Sequence, residues 1–331
     1  MNYLLGLIVL LIKIAVMLGG LLLVASYLVW LERKLLARLQ IRLGPNRAGI
    51  FGLLQPIADA IKLLTKEEIV PTAADGFIFR LAPAVVAVTA MMMFAVVPLG
   101  PDIRLFGRSV PMVITDLNVG LLFVFALSSL GVYGVALGGW ASNSKFALLG
   151  GIRGAAQMIS YELALGLSLV PVVMLAGSFS LTAIVDAQSG VPFIVLQPVS
   201  FAIFVISAMA ESKRIPFDLP EAENELGAGF HTEYSGMRFG LFFLGEYVHI
   251  QVLGALTAVF FLGGWHGPWL PPVVWLMLKI FIVALIMIWI RGTLPRLRYD
   301  QLMALGWKVL IPVSLINIVV TGAFIQFAGF S

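Results

Sequence analysis

The chain has 331 residues, of which 60% are hydrophobic and only 11% are charged, and its mean hydropathy is +1.03. Soluble domains carry about 25% charged residues, so this composition indicates a helical integral membrane protein. The net charge of +4 is not typical of a nucleic-acid-binding protein, because the basic residues flank the apolar runs. The absence of cysteine excludes thiolate-held iron–sulfur clusters, thiol chemistry and disulfides.

Histidine is also sparse in this chain. Of the three histidines, His249 and His266 fall near opposite ends of one apolar run. Paired haem ligation by facing histidines is therefore disfavoured. We expect neither a metal site nor a redox centre in this chain.

Eight apolar runs predict eight transmembrane helices in an all-α polytopic membrane protein. The runs cover Tyr3–Leu31, Leu81–Leu99, Met112–Leu137, Leu148–Leu175, Val191–Ala210, Phe239–Gly264, Pro272–Ile290 and Val309–Phe327. The first run lacks a preceding basic region and is too long for a signal peptide, so we expect it to be retained. We expect one membrane domain over residues 1–331.

The basic residues predict the orientation of these helices. An even number of spans places both termini on the same side of the membrane. Lysines and arginines are frequent in the odd-numbered loops, whereas the even-numbered loops contain only Arg104 and Arg108. By the positive-inside rule the odd-numbered loops face the cytoplasm, and both termini face the opposite side.

The first cytoplasmic loop, 32–80, contains a predicted amphipathic helix over residues 55–66. Pro56 suits the first turn of this helix. One face carries Ile57, Ile61 and Leu64, and another carries Asp59, Lys62 and Lys66. Such a helix lies in the membrane interface rather than crossing it, so the simplest interpretation is a surface anchor.

Charged residues inside the predicted spans are candidates for function. Glu162 shares the fourth span with Arg153, but the two lie on roughly opposite faces at about 100° per residue. We therefore disfavour a pair within one helix and favour a hydrated path beside Glu162 over a packing contact. Lys13 and Lys279 lie too centrally in their spans for easy snorkelling, so we expect partners inside the protein, as relays or counter-ions of buried acids.

The loop 211–238 is unusual because its acidic residues stand between almost uncharged apolar runs. Asp218, Pro220 and Glu221 predict the start of a helix, with Asp218 as the N-cap. Glu225 then shares a helical face with Glu221. Glu246 follows roughly 12 Å into the sixth span, at 1.5 Å per residue.

Five carboxylates are predicted to form a line from the cytoplasmic surface into the membrane: Glu211, Glu221, Glu225, Glu246 and Glu162. Carboxyl groups in a poorly solvated site beside like charges have raised pKa values and titrate as a coupled set. That behaviour suits proton uptake and release near neutral pH. The alternative is a solvated acidic loop that caps helices and docks a basic partner, and it is weaker for Glu162 and Glu246, which lie within spans.

Several motifs, spread from the first loop to the seventh, are similar to those of one family. They are LERK at 31–34, GPNR at 44–47, LLQPIAD at 53–59, GWASNSK at 139–145, SYE at 160–162, the whole run 211–247, RGTLPR at 291–296 and YD at 299–300. GPNR alone is a weak signal, but the set is specific. On these residues the chain resembles the membrane subunit called H, or subunit 1, of respiratory complex I, the proton-pumping NADH–quinone oxidoreductase.

The resemblance implies a heel subunit, which joins a peripheral redox arm to a membrane arm in a bacterial cytoplasmic membrane or an equivalent membrane. The implied partners are peripheral quinone-site and iron–sulfur subunits, small membrane subunits and the lipid bilayer. Quinone is the implied substrate, and it enters from the bilayer among the first span, the amphipathic helix and the sixth span. No covalently bound cofactor, metal or iron–sulfur cluster is expected in this chain.

The family motifs also imply roles for particular residues. The implied residues of the quinone chamber are Arg33, Arg42, Arg47, Asp59, Arg214 and Phe217. The implied proton-coupling residues are Glu162, Glu211, Glu221, Glu223, Glu225 and Glu246. Lys213 departs from the family, which usually has a neutral residue there, and its added cation can shift nearby pKa values.

Two alternatives stay open from the sequence. The first is a homologous heel subunit of a membrane-bound hydrogenase or ferredoxin-linked complex, although the complete first-loop motif favours the quinone enzyme. The second is a stand-alone proton-coupled transporter. A transporter more often shows paired broken helices in its two halves, and no such pair is evident.

Overall fold

Long apolar helices make up most of the fold, as the hydropathy pattern predicts. The computed structural model describes residues 2–105 and 108–328. Within those ranges, seven helices are long and apolar enough to span a membrane, and one further apolar helix has 14 residues. The chain is therefore an all-α polytopic membrane protein.

The helices are joined by connections of very different lengths. In chain order they are α1 (Asn2–Leu39), α2 (Gln55–Thr65), α3 (Gly76–Met93), α4 (Gly120–Ala141), α5 (Lys145–Ala176), α6 (Leu181–Asp186), α7 (Phe193–Leu196), α8 (Pro198–Glu211), α9 (Glu223–Leu226), α10 (Gly236–Phe261), α11 (Pro272–Thr293), α12 (Tyr299–Ala304) and α13 (Ile311–Ala328). A π-helical segment, Leu305–Leu310, joins α12 to α13. Between α3 and α4, β1 (Ile103–Leu105) pairs antiparallel with β2 (Arg108–Val110). The side chains of Arg104 and Arg108 lie outside the described part.

Local signals determine several helix ends. Oδ1 of Asp75 accepts hydrogen bonds from the backbone N–H groups of Phe77 (3.1 Å) and Ile78 (3.2 Å), so α3 starts ahead of the predicted span. Gly177 ends α5 with a φ of 65°, a left-handed conformation that glycine adopts without strain. The first helix continues well beyond its predicted end at Leu31 and stops at Leu39.

The fifth predicted span, 191–210, is not one continuous helix. It is divided into α7 and α8 at Gln197, whose φ of −132° and ψ of 57° are not helical. Nε2 of Gln197 donates to Oγ1 of Thr321 (3.0 Å), and Nδ2 of Asn317 donates to Oε1 of Gln197 (3.1 Å). The prediction of one span is wrong here because contacts with α13 hold Gln197 and Pro198 starts a new helix.

Small residues bring α3, α4 and α5 close together. A Cβ at Gly139 of α4 would lie 2.4 Å from the carbonyl oxygen of Ala147 of α5. A Cβ at Gly134 would lie 3.0 Å from the carbonyl oxygen of Ala82 of α3. Close packing of this kind is typical of membrane helices, and it positions the polar side chains of α4 and α5 against α8 and α10.

Three of the largest fully buried side chains, Phe204, Phe260 and Phe261, lie where α8 and α10 meet. A second core joins α3 to the connection before α10, where the rings of Phe79 and Tyr234 stack with centroids 4.0 Å apart. By contrast, α1 and α13 lie at the periphery and expose most of their apolar side chains. Such surfaces suit contact with lipid or with other membrane chains.

Both mid-span lysines have partners inside the protein, as predicted, but these partners are backbone carbonyls rather than acids. Nζ of Lys13 donates to the carbonyl oxygen of Pro111 (2.7 Å). Nζ of Lys279 donates to three carbonyl oxygens just after α10, at 2.6 to 2.8 Å. Neither lysine therefore contacts an acid here, and these contacts link α1 and α11 to neighbouring loops.

The connection from α8 to α10 differs from the prediction. The helix α9 begins only at Glu223, so Asp218 is not its N-cap and Glu221 precedes the helix. Oδ2 of Asp218 instead lies 3.3 Å from Nη2 of Arg296, and the carbonyl oxygen of Asp218 accepts a hydrogen bond from the same guanidinium. Glu221 and Glu225 therefore do not share a helical face.

Gly229 determines how this connection packs. Its φ is 61°, and a Cβ there would lie 1.8 Å from the carbonyl oxygen of Pro220. A Cβ at Gly150 of α5 would lie 2.7 Å from the same oxygen. Because neither glycine has a side chain, the connection folds back on itself and lies directly against α5.

Candidate functional site

A cavity of about 550 Å³ opens among α1, α2 and α10. Its lining is mainly apolar, with side chains such as Val29 and Phe243, and its charged members are Arg33, Asp59 and Lys62. Ligand sites commonly have this size and this combination of apolar walls with a few polar groups. The cavity suits a molecule that has a long apolar part.

An ion pair holds α2 against α1 at this cavity. Nη1 of Arg33 lies 2.6 Å from Oδ2 of Asp59, and Nε2 of Gln55 donates to Oδ1 of Asp59 (3.1 Å). The Arg33 side chain is 45% exposed, and exposed pairs of this kind contribute about 0–1 kcal/mol. The pair therefore orients the charged side chains more than it stabilises the fold.

The predicted amphipathic helix is observed as Gln55–Thr65, and its apolar face points away from the protein. Ile57, Ile61 and Leu64 are all more than half exposed, and Leu64 also borders the cavity, which Asp59 and Leu63 face. An exposed apolar face of this kind suits the membrane interface, in line with the predicted anchor. The opposite face of the same helix forms one wall of the cavity.

Beside the cavity, a buried cluster of charges joins three spanning helices. Arg214 forms ion pairs with Glu32 of α1 and, through Nε at 2.9 Å, with Oε1 of Glu246 of α10. Glu32 also pairs with Arg291 of α11 and accepts a hydrogen bond from the Tyr247 hydroxyl at 2.9 Å. The Arg214 guanidinium lies 4.4 Å from the centre of the Tyr247 ring. Since Tyr247 also lines the cavity, it connects the cavity to the cluster.

The electrostatics keep Arg214 charged. Burial disfavours its charged form, but the negative charges of Glu246 and Glu32 outweigh burial and raise the pKa of the guanidinium. Buried charges that are paired on several sides in this way are costly to unpair. The cluster therefore fixes the ends of α1 and α11 relative to α10.

Glu211, at the end of α8, faces a second, much smaller cavity. This cavity measures about 30 Å³ and is lined by Glu211, Lys213, Glu246 and His249. Glu211 is almost fully buried and accepts a hydrogen bond from Ser128 of α4. The volume is that of one or two water molecules, so the carboxyl groups of Glu211 and Glu246 share a polar space.

Glu162 continues the row of acids on α5. Oγ of Ser129, the residue after Ser128 on α4, donates to Oε1 of Glu162 at 2.5 Å. Glu162 is close enough to Glu211 for their charges to repel. The two neighbouring serines therefore hold the two carboxyl groups side by side along α4.

Glu225, in the connection, pairs with a residue of α5. Oε2 of Glu225 lies 2.7 Å from Nη1 of Arg153, so Arg153 pairs across to the connection and not with Glu162, as the opposite helical faces predict. The Glu225 side chain is 55% exposed. The side chain of Glu223 lies outside the described part of the structure.

Glu221 and His231 lie beside each other in the same connection, and both are partly buried. Nδ1 of His231 lies 4.0 Å from Oε1 of Glu221. Burial, followed by the charges of Glu246 and Asp218, raises the pKa of Glu221 to about 8. Burial also lowers the pKa of His231 to about 4, with a smaller contribution from Lys213. Both shifts favour the neutral form of each group, and the pKa of Glu221 shifts in the direction predicted for these carboxyl groups.

Lys213 places a cation among these acids. Its φ of 55° is unusual for a residue with a side chain, and its Nζ lies 5.1 Å from the centre of the Phe230 ring. Burial lowers the pKa of Lys213, although the carboxylates of Glu246, Glu221 and Glu211 oppose this effect. The proton affinity of Lys213 thus depends on the charge of its acidic neighbours.

The implied quinone-chamber residues do not all line the large cavity. Arg33 and Asp59 do. Arg42 and Arg47 lie on the exposed connection before α2, and Phe217 is buried with its ring 5.7 Å from that of Tyr161. Arg214 does not line the cavity itself, but it contacts Tyr247, which does.

Sequence reasoning did not single out several members of the site. Glu32 and Arg291 belong to quoted motifs, but nothing in those motifs indicates that they pair with each other. Ser128 and His249 lie in apolar runs, where a single polar residue is a weak signal. Among the described residues, no group of three or more His, Cys, Asp or Glu side chains has the arrangement of a metal site.

The fold and the site define a polytopic membrane protein in which an apolar cavity among spanning helices adjoins a buried row of charged residues. The model of the NADH dehydrogenase family matches residues 12–322, and the chain belongs to that family.

Three relatives, all named as H subunits of NADH-quinone oxidoreductase, show how far this similarity extends. The chain is 74% identical to the H 2 subunit of Syntrophobacter fumaroxidans, with 99% of each chain covered. It is 61% identical to the H subunit of Syntrophotalea carbinolica, over 98% of this chain and 99% of the relative. It is 66% identical to the H 1 subunit of Geobacter metallireducens, over 94% of each chain.

Proposed function

We propose that this chain is the heel subunit of a multisubunit NADH–quinone oxidoreductase and forms much of the quinone access chamber. The observation that carries this proposal is the cavity of about 550 Å³ among α1, α2 and α10. Its apolar walls fit a quinone tail that enters from the bilayer, and the pair Arg33–Asp59 supplies polar groups for a headgroup. The near full-length relatives named as subunits of this enzyme support the same function.

The quinone is the substrate, and electrons reach it from the peripheral subunits of the complex. The partners are those peripheral quinone-site and iron–sulfur subunits and the small membrane subunits beside the heel. The names of the relatives favour this assembly over a hydrogenase-type complex and over a stand-alone transporter. We expect no reaction from this chain alone.

The buried acids couple quinone reduction to proton translocation in this proposal. Negative charge that develops on the reduced quinone near Tyr247 acts on Arg214 and its partners Glu32 and Glu246. Glu246 shares the small cavity with Glu211, so a change at one carboxyl alters the protonation of the other. A changed protonation pattern then favours a different conformation of the connection, which transmits the effect along the membrane arm.

The orientation follows from the same assembly. The first long connection and the connection from α8 to α10 face the cytoplasm, where the peripheral arm docks, and both termini face the opposite side of the bacterial cytoplasmic membrane. Because the native chain has no cysteine, single cysteines introduced at exposed loop positions report this directly. We expect an impermeant thiol reagent to label Arg298→Cys only from the cytoplasmic side and Trp269→Cys only from the other.

Substitution inside the cavity tests the quinone assignment. Ser26 lines the cavity on α1, whereas Leu23 lies nearby on α1, does not line the cavity and is 59% exposed. In the assembled complex we expect Ser26→Trp to raise the KM for a long-tailed quinone at least tenfold. Leu23→Trp, the matched control, leaves it unchanged. Equal KM values in the two variants, with normal assembly, would refute a quinone route through this cavity.

A further inference from the structure

His249 lies on α10, three residues beyond Glu246, and faces the end of α8. Its Nε2 lies 3.6 Å from Oε1 of Glu211, and its side chain is only 13% exposed. The ring borders the cavity of about 30 Å³ and also a neighbouring cavity of about 10 Å³, and Glu211 lines both. The imidazole and the Glu211 carboxyl therefore lie close together, and both border a small cavity that fits one or two water molecules.

Nε2 of His249 makes no hydrogen bond to any of the described residues. Nε2 is buried, and none of the described residues supplies it with a hydrogen-bond partner. A buried polar atom without a partner is costly, so packing alone gives no reason for histidine at this position. Exchange of a proton between the His249 imidazole and the adjacent Glu211 carboxyl would explain why histidine occupies this position.

The groups around His249 come from every helix that packs against it. Glu211 faces it from α8, Lys213 from the following turn and Glu246 from its own helix, with Glu162 of α5 behind Glu211. From α3 and α4 come only uncharged polar groups, Thr89 and Ser128. The Lys213 ammonium disfavours a charged imidazole, and the carboxylates favour it. The charge of His249 therefore depends on how many of the nearby acids are ionised.

From this geometry we infer that His249 is a further proton-exchanging residue, which shares a proton with the Glu211 carboxyl. The inference rests on the proposed function, because it adds a member to the proposed proton-coupling row. When the proton moves, the O–H bond of Glu211 breaks and an N–H bond forms at Nε2. The neutral pair becomes a carboxylate beside an imidazolium, with no change in net charge. His249 accepts the proton directly as the gap closes, or through a bridging water.

The test uses the assembled complex in membrane vesicles and compares proton pumping per unit time in five forms. They are the unsubstituted complex, His249→Gln, Glu211→Gln, the double variant and His266→Gln. Glutamine places an amide nitrogen near the position of Nε2, but the amide neither takes up nor releases a proton near neutral pH. His266 follows α10 at its far end and also has a buried Nε2 without a described partner, so it is the matched control.

We expect His249→Gln to lower the pumping rate at least threefold and His266→Gln to leave it unchanged. Because His249 acts through Glu211, adding His249→Gln to Glu211→Gln should cause no further loss, whereas independent effects would multiply. The acid side of the pH profile should also move to higher pH in His249→Gln, because Glu211 then lacks a nearby base. If His249 had only a structural role, His249→Gln would not shift the pH profile of proton pumping.

The outcomes separate the two proposals. An unchanged rate in Glu211→Gln refutes the proposed proton-coupling row. A loss in Glu211→Gln, with normal pumping and an unshifted profile in His249→Gln, refutes only the role of His249. His249→Asn, which has a smaller side chain, is a second test variant in case His249→Gln does not fold. If neither His249 variant assembles, the ring has a structural role and the inference is wrong.

Discussion

Nε of Arg214 lies 2.9 Å from Oε1 of Glu246, and this pair joins the start of the connection after α8 to the helix α10 that follows it. The same guanidinium pairs with Glu32 on α1. The Arg214 side chain thus links α1, which lines the large cavity, to α10, which lines the small cavity. Any event that changes the charge near Tyr247 acts on both.

Replacement of Arg214 should destabilise the fold strongly. Arg214→Gln leaves the carboxylates of Glu32 and Glu246 buried without their main partner, and loss of one member of a buried pair costs about 3–5 kcal/mol. We expect a lower thermal midpoint of the assembled complex, or loss of assembly. The double variant Arg214→Gln with Glu246→Gln should recover part of the stability, because it removes the carboxylate whose ion-pair partner is lost, whereas Glu32 still pairs with Arg291. A double variant no more stable than the single one would contradict this explanation.

Glu211→Gln and Glu225→Gln should impair coupled turnover in the assembled complex. Glu211 is buried, whereas Glu225 is 55% exposed and its pair with Arg153 contributes about 0–1 kcal/mol. Glu225→Gln should therefore assemble normally, so any loss of quinone-coupled turnover reports function. Glu233→Gln, in the same connection but outside the proposed row, is the control. Full assembly with normal coupled activity in both test variants would contradict the proton-coupling assignment.

The pH dependence of Glu221 has a definite sign. Burial raises its pKa to about 8, so the folded protein holds this proton over a range in which the unfolded chain has lost it. Between about pH 4.5 and pH 8 this group therefore makes stability fall as the pH rises. Infrared spectra of the complex should show the loss of a protonated carboxyl band between pH 7 and pH 9, and Glu221→Gln should lack that change. Identical spectral changes in the two forms would show that Glu221 does not hold a proton at pH 7.

Gly229→Ala should disrupt the connection that carries Glu221 and His231. The added Cβ would lie 1.8 Å from the carbonyl oxygen of Pro220, so the backbone must move. Gly227 is the matched control, because its φ of 77° is also positive but a Cβ there meets open space. Gly227→Ala should cost only the backbone strain of its φ of 77° and ψ of −88°, about 1–3 kcal/mol. Hydrogen exchange over residues 218–231 should be much faster in Gly229→Ala than in Gly227→Ala, and equal exchange would contradict the assigned packing.

Local properties of the chain predict most of the fold. A continuous apolar run and the alternating faces of residues 55–66 depend only on neighbouring residues, and the structure confirms the fold class and α2. The break at Gln197 was not predictable in this way, because Thr321 and Asn317 of a distant helix hold it. The start of α9 was misplaced for a similar reason, since Asp218 binds Arg296 instead of capping the helix.

The site could be predicted only in part from the sequence. The acids of the connection were identifiable because charge is rare in this chain and concentrated there. The partners of Arg214 were not, because 182 positions separate Glu32 from Arg214 and only the packing of distant helices brings them together. His249 and Ser128 belong to the site because both contact the buried carboxyl of Glu211. No pattern along the sequence connects either residue with Glu211.

The central claim is that quinone occupies the cavity among α1, α2 and α10, and photolabelling tests it most directly. A light-activated, long-tailed quinone would be bound to the assembled complex, crosslinked and mapped by peptide sequencing. The proposal predicts labels on residues 22–33, 56–64 and 237–247, and competition by unlabelled quinone. Labels confined to other helices of this chain, or insensitive to competing quinone, would contradict it.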